Sequence, residues 1–143
     1  MGFEVPENET IYSLLKQKAG YTTAHVGKLG LLIFLDQELN FNFFVDDDGW
    51  HYRKIRGKMW HITKKNTADA LRFLAERDKN KPFFMNVAYF VTHTVDGEKR
   101  QYMPQNVSMS MYENDNIPIP ATATDEAWKK MPPFFSDNNE GRT

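Results

Sequence analysis

The sequence predicts an α/β fold in which helices cover a sheet of parallel strands. Three stretches carry this prediction: a helix pattern over residues 11–19, a strand pattern over residues 22–26, and a nearly unbroken apolar run over residues 82–91. An apolar run of that length is typical of a parallel strand that is buried on both faces. With 143 residues, of which 41% are apolar and 26% charged, the chain has the size and composition of one globular domain.

The first helix and the first strand are predicted from local signals. Thr10 is suited to cap the helix, apolar residues share one face, and Gly20 stands just after the last turn. Residues 22–26 alternate and include β-branched side chains, which indicates a strand. We expect His25 to lie inside this strand and to be hydrogen-bonded in the core.

A second helix is predicted from Thr63, as its N-cap, to about Asp78. Lysine and threonine residues open it, and Arg77 lies near its end. Its apolar face would consist of Thr67, Ala70, Leu71 and Leu74.

The pattern divides the chain into an α/β portion, residues 1–91, and a long loop-rich segment, residues 92–143, which holds five of the seven prolines. Residues 31–35 are apolar but too few to assign by periodicity, and the aromatic, Asp-rich stretch after them is equally ambiguous. Two strands cannot satisfy the edges and faces of a parallel sheet. We therefore expect a fragment of a larger α/β domain.

The composition excludes several classes of function. Eighteen Lys and Arg residues against nineteen Asp and Glu leave no overall field that favours nucleic acid or an anionic membrane. No apolar window is long enough to cross a membrane, and the first residues lack the pattern of a signal peptide. The absence of cysteine excludes disulfides, thiolate metal sites and a cysteine nucleophile within these residues.

Two candidate site residues follow the predicted strands. Lys28 comes just after the first strand, and His93 comes just after the apolar run. The carboxyl ends of parallel strands meet where open α/β sheets usually bind ligands, so the two side chains are expected to face one crevice. A lysine ammonium binds sulfate or phosphate, and a histidine can donate to an anion or protonate a leaving oxygen. The alternatives are a solvated lysine in a turn and an incidental loop histidine.

A basic and aromatic stretch lies between these two residues. Residues 51–65 interleave six Lys or Arg residues with Tyr52 and Trp60, as single-stranded nucleic-acid sites do. The acidic run at residues 46–48 can neutralise part of this charge, and the whole chain is nearly neutral, so we expect no nucleic-acid partner. The acidic run also lacks the alternating ligands of a calcium loop.

Several segments resemble the sulfatase family. PENETIYSLLKQKAGYTTAHVGK, residues 6–28, is similar to the family's acidic segment, short helix and Gly-Tyr-Thr strand, which lead into a Gly-Lys-Trp-His-Leu-Gly motif. KPFFMNVAYFVTHTVDG, residues 81–97, resembles the family's later strand, which ends in a Pro-His pair. The tail from residue 101, with QYMPQ and PPFF, is similar to the long substrate-side loop of bacterial-type sulfatases.

The resemblance implies part of an alkaline-phosphatase-like α/β domain that hydrolyses sulfate esters. In that family a Cys or Ser residue, oxidised to formylglycine, attacks sulfur, while calcium held by Asp and Asn and fixed cations stabilise the transferring group. Lys28 takes the place of the motif lysine that contacts the sulfate. His93 takes the place of the histidine after the later strand.

The sequence departs from the family pattern at several points. Leu29 and Gly30 stand where the motif has Trp-His, and Thr92 replaces the proline before His93. The Cys/Ser-x-Pro-x-Arg nucleophile segment and the calcium ligands have no counterpart among these residues. We therefore expect no turnover of a sulfate ester by this chain alone.

Two functions follow from the resemblance. The first is hydrolysis of a sulfate ester on a sulfated sugar or an aryl sulfate, with Lys28 and His93 as sulfate contacts. The alternative is a non-catalytic relative that binds sulfated glycans, or that pairs with a partner or with itself through exposed sheet edges. Members of the family are usually exported or lysosomal, and the sequence does not fix the compartment.

Overall fold

The computed structural model describes residues 6–30, 35–47, 49–95, 97 and 99–133. Residues 31–34, which the sequence left ambiguous, lie outside the described residues. No helix in the described ranges is long and apolar enough to cross a bilayer. The helices are α1 (Ile11–Lys18), α2 (Gln37–Asn40), α3 (Ile62–Glu76) and α4 (Asp125–Lys129), and the strands are β1 (Thr22–Gly27), β2 (Phe43–Asp46), β3 (Tyr52–Ile55), β4 (Lys58–His61) and β5 (Phe83–Ala88).

Three strands form a parallel sheet in the order β2-β1-β5. Along β5 the register places Thr22 opposite Phe83 and Gly27 opposite Ala88, so β1 is paired over its whole length. The predicted α/β arrangement with parallel strands is confirmed. Strand β2 comes from the aromatic, Asp-rich stretch that the sequence left unassigned, and it gives β1 its second neighbour.

Helix α1 covers one face of this sheet. The predicted N-cap is confirmed, because the Thr10 side chain accepts a hydrogen bond from the Ser13 N–H at 3.0 Å. The helix places the ring of Tyr12 against His25 of β1 and Phe84 of β5, at centroid distances of 6.3 Å and 5.5 Å. These contacts bury the face of β1 that carries His25.

Helix α3 covers the opposite face but begins differently from the prediction. It starts at Ile62, and its N-cap is His61 rather than Thr63. The His61 imidazole accepts a hydrogen bond from the Thr63 N–H at 3.2 Å, which satisfies one of the free donors at the helix start. Because histidine is not a common cap, the sequence signal pointed to threonine instead.

The predicted apolar face of α3 is also wrong in part. Leu71 is 60% exposed, whereas Phe73 is buried and contacts the rings of Phe43 and Phe83 at 5.6 Å and 6.0 Å. Phe73 is therefore the core residue because it packs against the aromatic residues of β2 and β5 on this face. The buried residues of α3 are Ile62, Asn66, Ala70 and Phe73.

Strand β5 is shorter and more exposed than the apolar run predicted. It ends at Ala88, none of its residues is fully buried, and Phe83 is 38% exposed. Within the described residues β5 lies at an edge of the sheet. The prediction that this strand is buried on both faces is therefore wrong for this chain.

The basic and aromatic stretch folds as an antiparallel hairpin of β3 and β4. Arg53 pairs with Trp60 and Ile55 with Lys58 across the strands. Both residues of the turn have positive φ, 49° at Arg56 and 78° at Gly57, as a two-residue type I′ turn requires.

The chain divides into two compact units, Met1–Gln105 and Asn106–Thr143. The first contains the sheet, α1 to α3 and the hairpin. In the second, Thr124 caps the short helix α4, and none of the described residues is buried.

Candidate functional site

The structure brings the two predicted site residues together on one aromatic ring. The Lys28 ammonium lies 5.2 Å from the centroid of the Phe90 ring, and the His93 ring stacks on Phe90 with a centroid distance of 5.1 Å. The distance between the Lys28 ammonium and the centroid of the His93 ring therefore cannot exceed the sum of these two distances. We call this group, Lys28, Phe90 and His93, the sheet-tip site.

The backbone of Lys28 is fixed by the last pairing of the sheet. Its N–H donates to the Ala88 carbonyl at 2.8 Å, which ties the end of β1 to the end of β5. Gly27, the preceding residue, has a φ of 103°, and a Cβ at this position would lie 2.0 Å from the Ala88 oxygen. Glycine is required here because two backbones approach too closely for any side chain.

Phe90 is a buried support for the two polar residues. It is 4% exposed and packs in a cluster with Ile62 of α3 and Val95. The His93 N–H donates to the Phe90 carbonyl at 2.8 Å, which closes a turn directly after the sheet. The exposed imidazole of His93 is thus carried by a segment that is anchored in the core.

The protonation pattern of His93 follows from its backbone contact. Its Nδ1 lies 2.6 Å from the Thr94 carbonyl oxygen. A carbonyl oxygen can only accept, so Nδ1 carries a proton in this arrangement. Nε2 is then the ring nitrogen that can contact a ligand.

Two buried histidines, His51 and His61, hold the segment that follows His93. His51 donates from Nε2 to the His93 carbonyl at 2.8 Å and accepts at Nδ1 from the Met103 N–H at 3.2 Å. His61 donates from Nε2 to the Met103 carbonyl at 2.9 Å. The two rings are stacked with an interplanar angle of 7°, and His51 also contacts Phe90. We call His51 and His61 the histidine pair.

His25 is a core residue, as predicted. It is 1% exposed, its Nδ1 lies 3.3 Å from the Tyr12 hydroxyl, and its Nε2 lies 3.2 Å from the Gly27 carbonyl. Burial lowers the pKa of His25, and this effect outweighs the opposing influence of the Gly27 carbonyl and the Asp46 carboxylate. His25 is therefore favoured in its neutral form directly below the sheet tip.

The acidic run neutralises part of the basic stretch, as predicted. Asp47 is 2% exposed and forms ion pairs with Arg53, at 2.8 Å, and with Lys65. Lys65 also pairs with Asp69 at 2.8 Å. Burial opposes the charged form of Lys65, but the two carboxylates outweigh it and raise its pKa above the usual value.

The described residues do not fit a calcium ion. Among them, no group of three or more His, Asp or Glu side chains is placed to hold a metal. The carboxylates of Asp47 and Asp69 are already bound to cations.

The profile of the sulfatase family matches residues 5–130. The chain belongs to the sulfatase family. It is 29% identical over 128 residues to the N-acetylglucosamine-6-O-sulfatase of Bacteroides thetaiotaomicron, a match that covers 83% of this chain and 22% of that protein. The resemblance seen in the sequence is thus confirmed at the level of the family.

A solved structure shows the same relationship in three dimensions. This sulfatase-family chain matches it with a TM-score of 0.59 and 28% sequence identity, over 81% of its own length and 24% of the other chain. That structure is of a protein in complex with its substrate, D-glucosamine-2-N,6-O-disulfate. The chain spans less than a quarter of the length of either relative.

Three residues around the sheet tip had not been singled out from the sequence. Phe90 was part of the apolar run, and nothing local distinguishes it from its neighbours. His51 and His61 lie in the basic stretch, and nothing local distinguishes them from the aromatic and cationic residues around them. Their contact with residues 93 and 103 is tertiary, and no spacing in the sequence indicates it.

Proposed function

We propose that this sulfatase-family chain supplies the charge-stabilising part of a sulfate-ester site, in which Lys28 and His93 bind the sulfate group. The observation that supports the proposal most directly is their shared contact with Phe90 at the carboxyl end of the parallel sheet. Ligands of open α/β sheets bind at this edge. The hydrolysis of a sulfate ester is the family function that such a site would serve.

The two side chains would act on different parts of the reacting group. The Lys28 ammonium is a point charge that neutralises sulfate oxygens, and it favours the transition state if negative charge grows there. Protonated Nε2 of His93 can donate to a sulfate oxygen or to the departing sugar oxygen. Placement by a sheet end and a buried ring keeps both groups oriented before the ligand arrives.

For the ligand we propose a 6-O-sulfated glucosamine unit. The support comes from the comparisons: the curated relative is an N-acetylglucosamine-6-O-sulfatase, and the matched structure holds a 6-O-sulfated glucosamine as its substrate. The identity of nearly 30% is spread over most of this chain. Selection of the sugar itself would depend on residues beyond the two named here.

A second candidate is binding of the sulfated sugar without hydrolysis. It is favoured by one observation: these 143 residues contain no cysteine, and none of their serines begins a Ser-x-Pro-x-Arg segment. A covalent nucleophile accounts for many orders of magnitude in rate. The chain by itself is therefore expected to bind the ester and to leave it intact.

Calorimetric titration with glucosamine 6-sulfate tests the proposal. We expect binding that weakens about tenfold in Lys28→Ala and in His93→Ala, because each removes one charge-assisted hydrogen bond. Lys18→Ala is the matched control, since it removes an exposed cation at the end of α1. Absence of binding, or equal binding of unsulfated glucosamine, would contradict the proposal. Sulfate release that is lost in Lys28→Ala would instead show that the chain itself hydrolyses the ester.

A further inference from the structure

A cleft lies between the β3–β4 hairpin and α3, and its lining residues are not those of the sheet-tip site. Its volume is about 430 Å³, which is within the range of small-ligand sites. We call it the hairpin cleft. Its principal lining residues are Ile55, Arg56, Lys58, Trp60, Lys65 and Asp69.

The charges of the hairpin cleft do not cancel. Lys65 is neutralised by its ion pairs with Asp47 and Asp69. Arg56 and Lys58 have no carboxylate partner in the part of the chain that the structure describes. The cleft therefore presents two cations that are available to an anionic ligand.

The hairpin also gives the hairpin cleft an aromatic surface. Lys58 and Trp60 are two positions apart on β4, so they project from the same face, and the Lys58 ammonium lies 5.4 Å from the centroid of the Trp60 ring. At an exposed site a cation–π contact is weak. A direct bond to an anion can therefore replace this contact and leave the indole face for an apolar ligand surface.

The conformation of Arg56 in the hairpin turn is a further observation that points to ligand binding. A type I′ turn favours Asn, Asp or Gly at its first central position, and here that position is an arginine with a φ of 49°. A large side chain in this conformation destabilises the turn unless something compensates for it. Binding of a ligand by the guanidinium would provide a reason for the arginine.

We propose that the hairpin cleft is a second saccharide site, which binds a further sulfated sugar unit of an oligosaccharide. Trp60 would pack against the C–H face of the sugar ring, and Arg56 and Lys58 would bind its sulfate groups. The choice of a sulfated sugar rests on the proposed function of the chain. The cleft chemistry itself suits an anion that is attached to a ring with an apolar face.

Single-stranded nucleic acid fits the hairpin cleft less well. It is usually bound by several stacked aromatic rings along a basic groove. Of the two aromatic residues of the hairpin, only Trp60 lines the cleft. Tyr52 instead packs edge-on against His61, and its hydroxyl donates to the Pro104 carbonyl at 3.0 Å.

NMR titration of the whole chain with a sulfated glucosamine tetrasaccharide tests the proposal, with the indole N–H of Trp60 as the probe. We expect saturable shifts at Trp60, and an affinity reduced about tenfold in the double variant Arg56→Gln with Lys58→Gln. The control is Lys18→Gln with Lys54→Gln, which removes the same charge from exposed positions outside the cleft, and it should change the affinity less than about twofold.

The titration distinguishes binding at the hairpin cleft from binding at the sheet-tip site. The sheet-tip site is monitored at His93 and the hairpin cleft at Trp60, so either can fail while the other responds. Equal weakening in the test and control variants, or equal shifts with the unsulfated tetrasaccharide, would overturn the second site. Tighter binding of an oligothymidylate of the same charge would overturn it in favour of nucleic acid.

Discussion

The sheet-tip site and the hairpin cleft use the same pair of groups in different settings. In each, a lysine ammonium lies about 5 Å from an aromatic ring, Phe90 in one and Trp60 in the other. Phe90 is 4% exposed and belongs to a hydrophobic cluster, whereas Lys58 is exposed and Trp60 only half-buried. The aromatic ring of the sheet-tip site is thus part of the folded core, so changes that disturb Phe90 should affect stability and binding together. Changes in the hairpin cleft should affect mainly binding, with only a small effect on stability.

The largest effect is expected for Gly27→Ala at the sheet tip. The new Cβ would lie 2.0 Å from the Ala88 oxygen, at a φ of 103° that alanine disfavours. We expect a loss of about 4 kcal/mol or more in the free energy of unfolding, measured with urea. Gly20→Ala is the matched control, because φ is also positive there, at 69°, but no atom lies within 4 Å. It should cost about 1 kcal/mol, and equal losses in the two variants would refute the steric explanation.

The next largest loss of stability is expected when the histidine pair is disrupted. His51→Ala removes the partner of the His93 carbonyl and of the Met103 N–H. We expect a destabilisation of about 2 to 3 kcal/mol and faster hydrogen exchange at the Met103 amide. Lys54→Ala, an exposed change on the same hairpin, should stay within about 0.5 kcal/mol. Unchanged exchange at Met103 in His51→Ala would show that the histidine does not hold this segment.

Acid should weaken the core beneath the sheet tip. Burial keeps the pKa of His25 below 6.5 in the folded state, so the unfolded chain binds its proton first as the pH falls. The stability from neutral His25 is present above about pH 6.5 and is lost below it, with a slope of at most about 1.4 kcal/mol per pH unit. Urea unfolding between pH 7.5 and pH 5 should show a smaller slope for His25→Gln than for the exposed control His93→Gln. Identical slopes would exclude this role for His25.

The smallest effect on the free energy of unfolding is expected in the hairpin. There the substitution should stabilise the protein, whereas the changes above should destabilise it. Arg56→Asn places a favoured residue in the type I′ turn, so stability should rise by about 0.5 kcal/mol. The same change should weaken binding of the sulfated tetrasaccharide at Trp60. Arg53→Asn is a useful contrast, because it breaks the ion pair with Asp47 and should lower stability. A loss of stability in Arg56→Asn would contradict the view that arginine is unfavourable in this turn.

Local signals predicted α1 and β1 well. These signals are the cap at Thr10, the glycine at position 20 and the alternation of β1, and each depends only on residues that are adjacent in sequence. Strand β2 was not predicted because its aromatic, Asp-rich sequence is decided by pairing with β1 rather than by its own pattern. The start of α3 was missed for a similar reason, since the cap is an imidazole. Tertiary context overrode the local preference in both.

At the sheet tip, the sequence indicated two residues that lie near each other, and their role as sulfate contacts stays a prediction. Lys28 and His93 could be chosen because each follows a strand, and parallel strands bring their carboxyl ends together. Their contact with Phe90, and the support from the histidine pair, depends on residues that are distant in sequence. The hairpin cleft lay in a stretch whose composition was noted, but the turn at Arg56 and Gly57 decides which side chains face α3.

A double-mutant cycle on glucosamine 6-sulfate binding tests most directly whether Lys28 and His93 hold one sulfate. Binding would be measured by calorimetry for the chain, for Lys28→Ala, for His93→Ala and for the double variant. If both side chains contact the same anion, the two losses should be non-additive by about 1 kcal/mol. Losses that add within about 0.3 kcal/mol, or the absence of any loss, would show that the two residues do not form a common sulfate site.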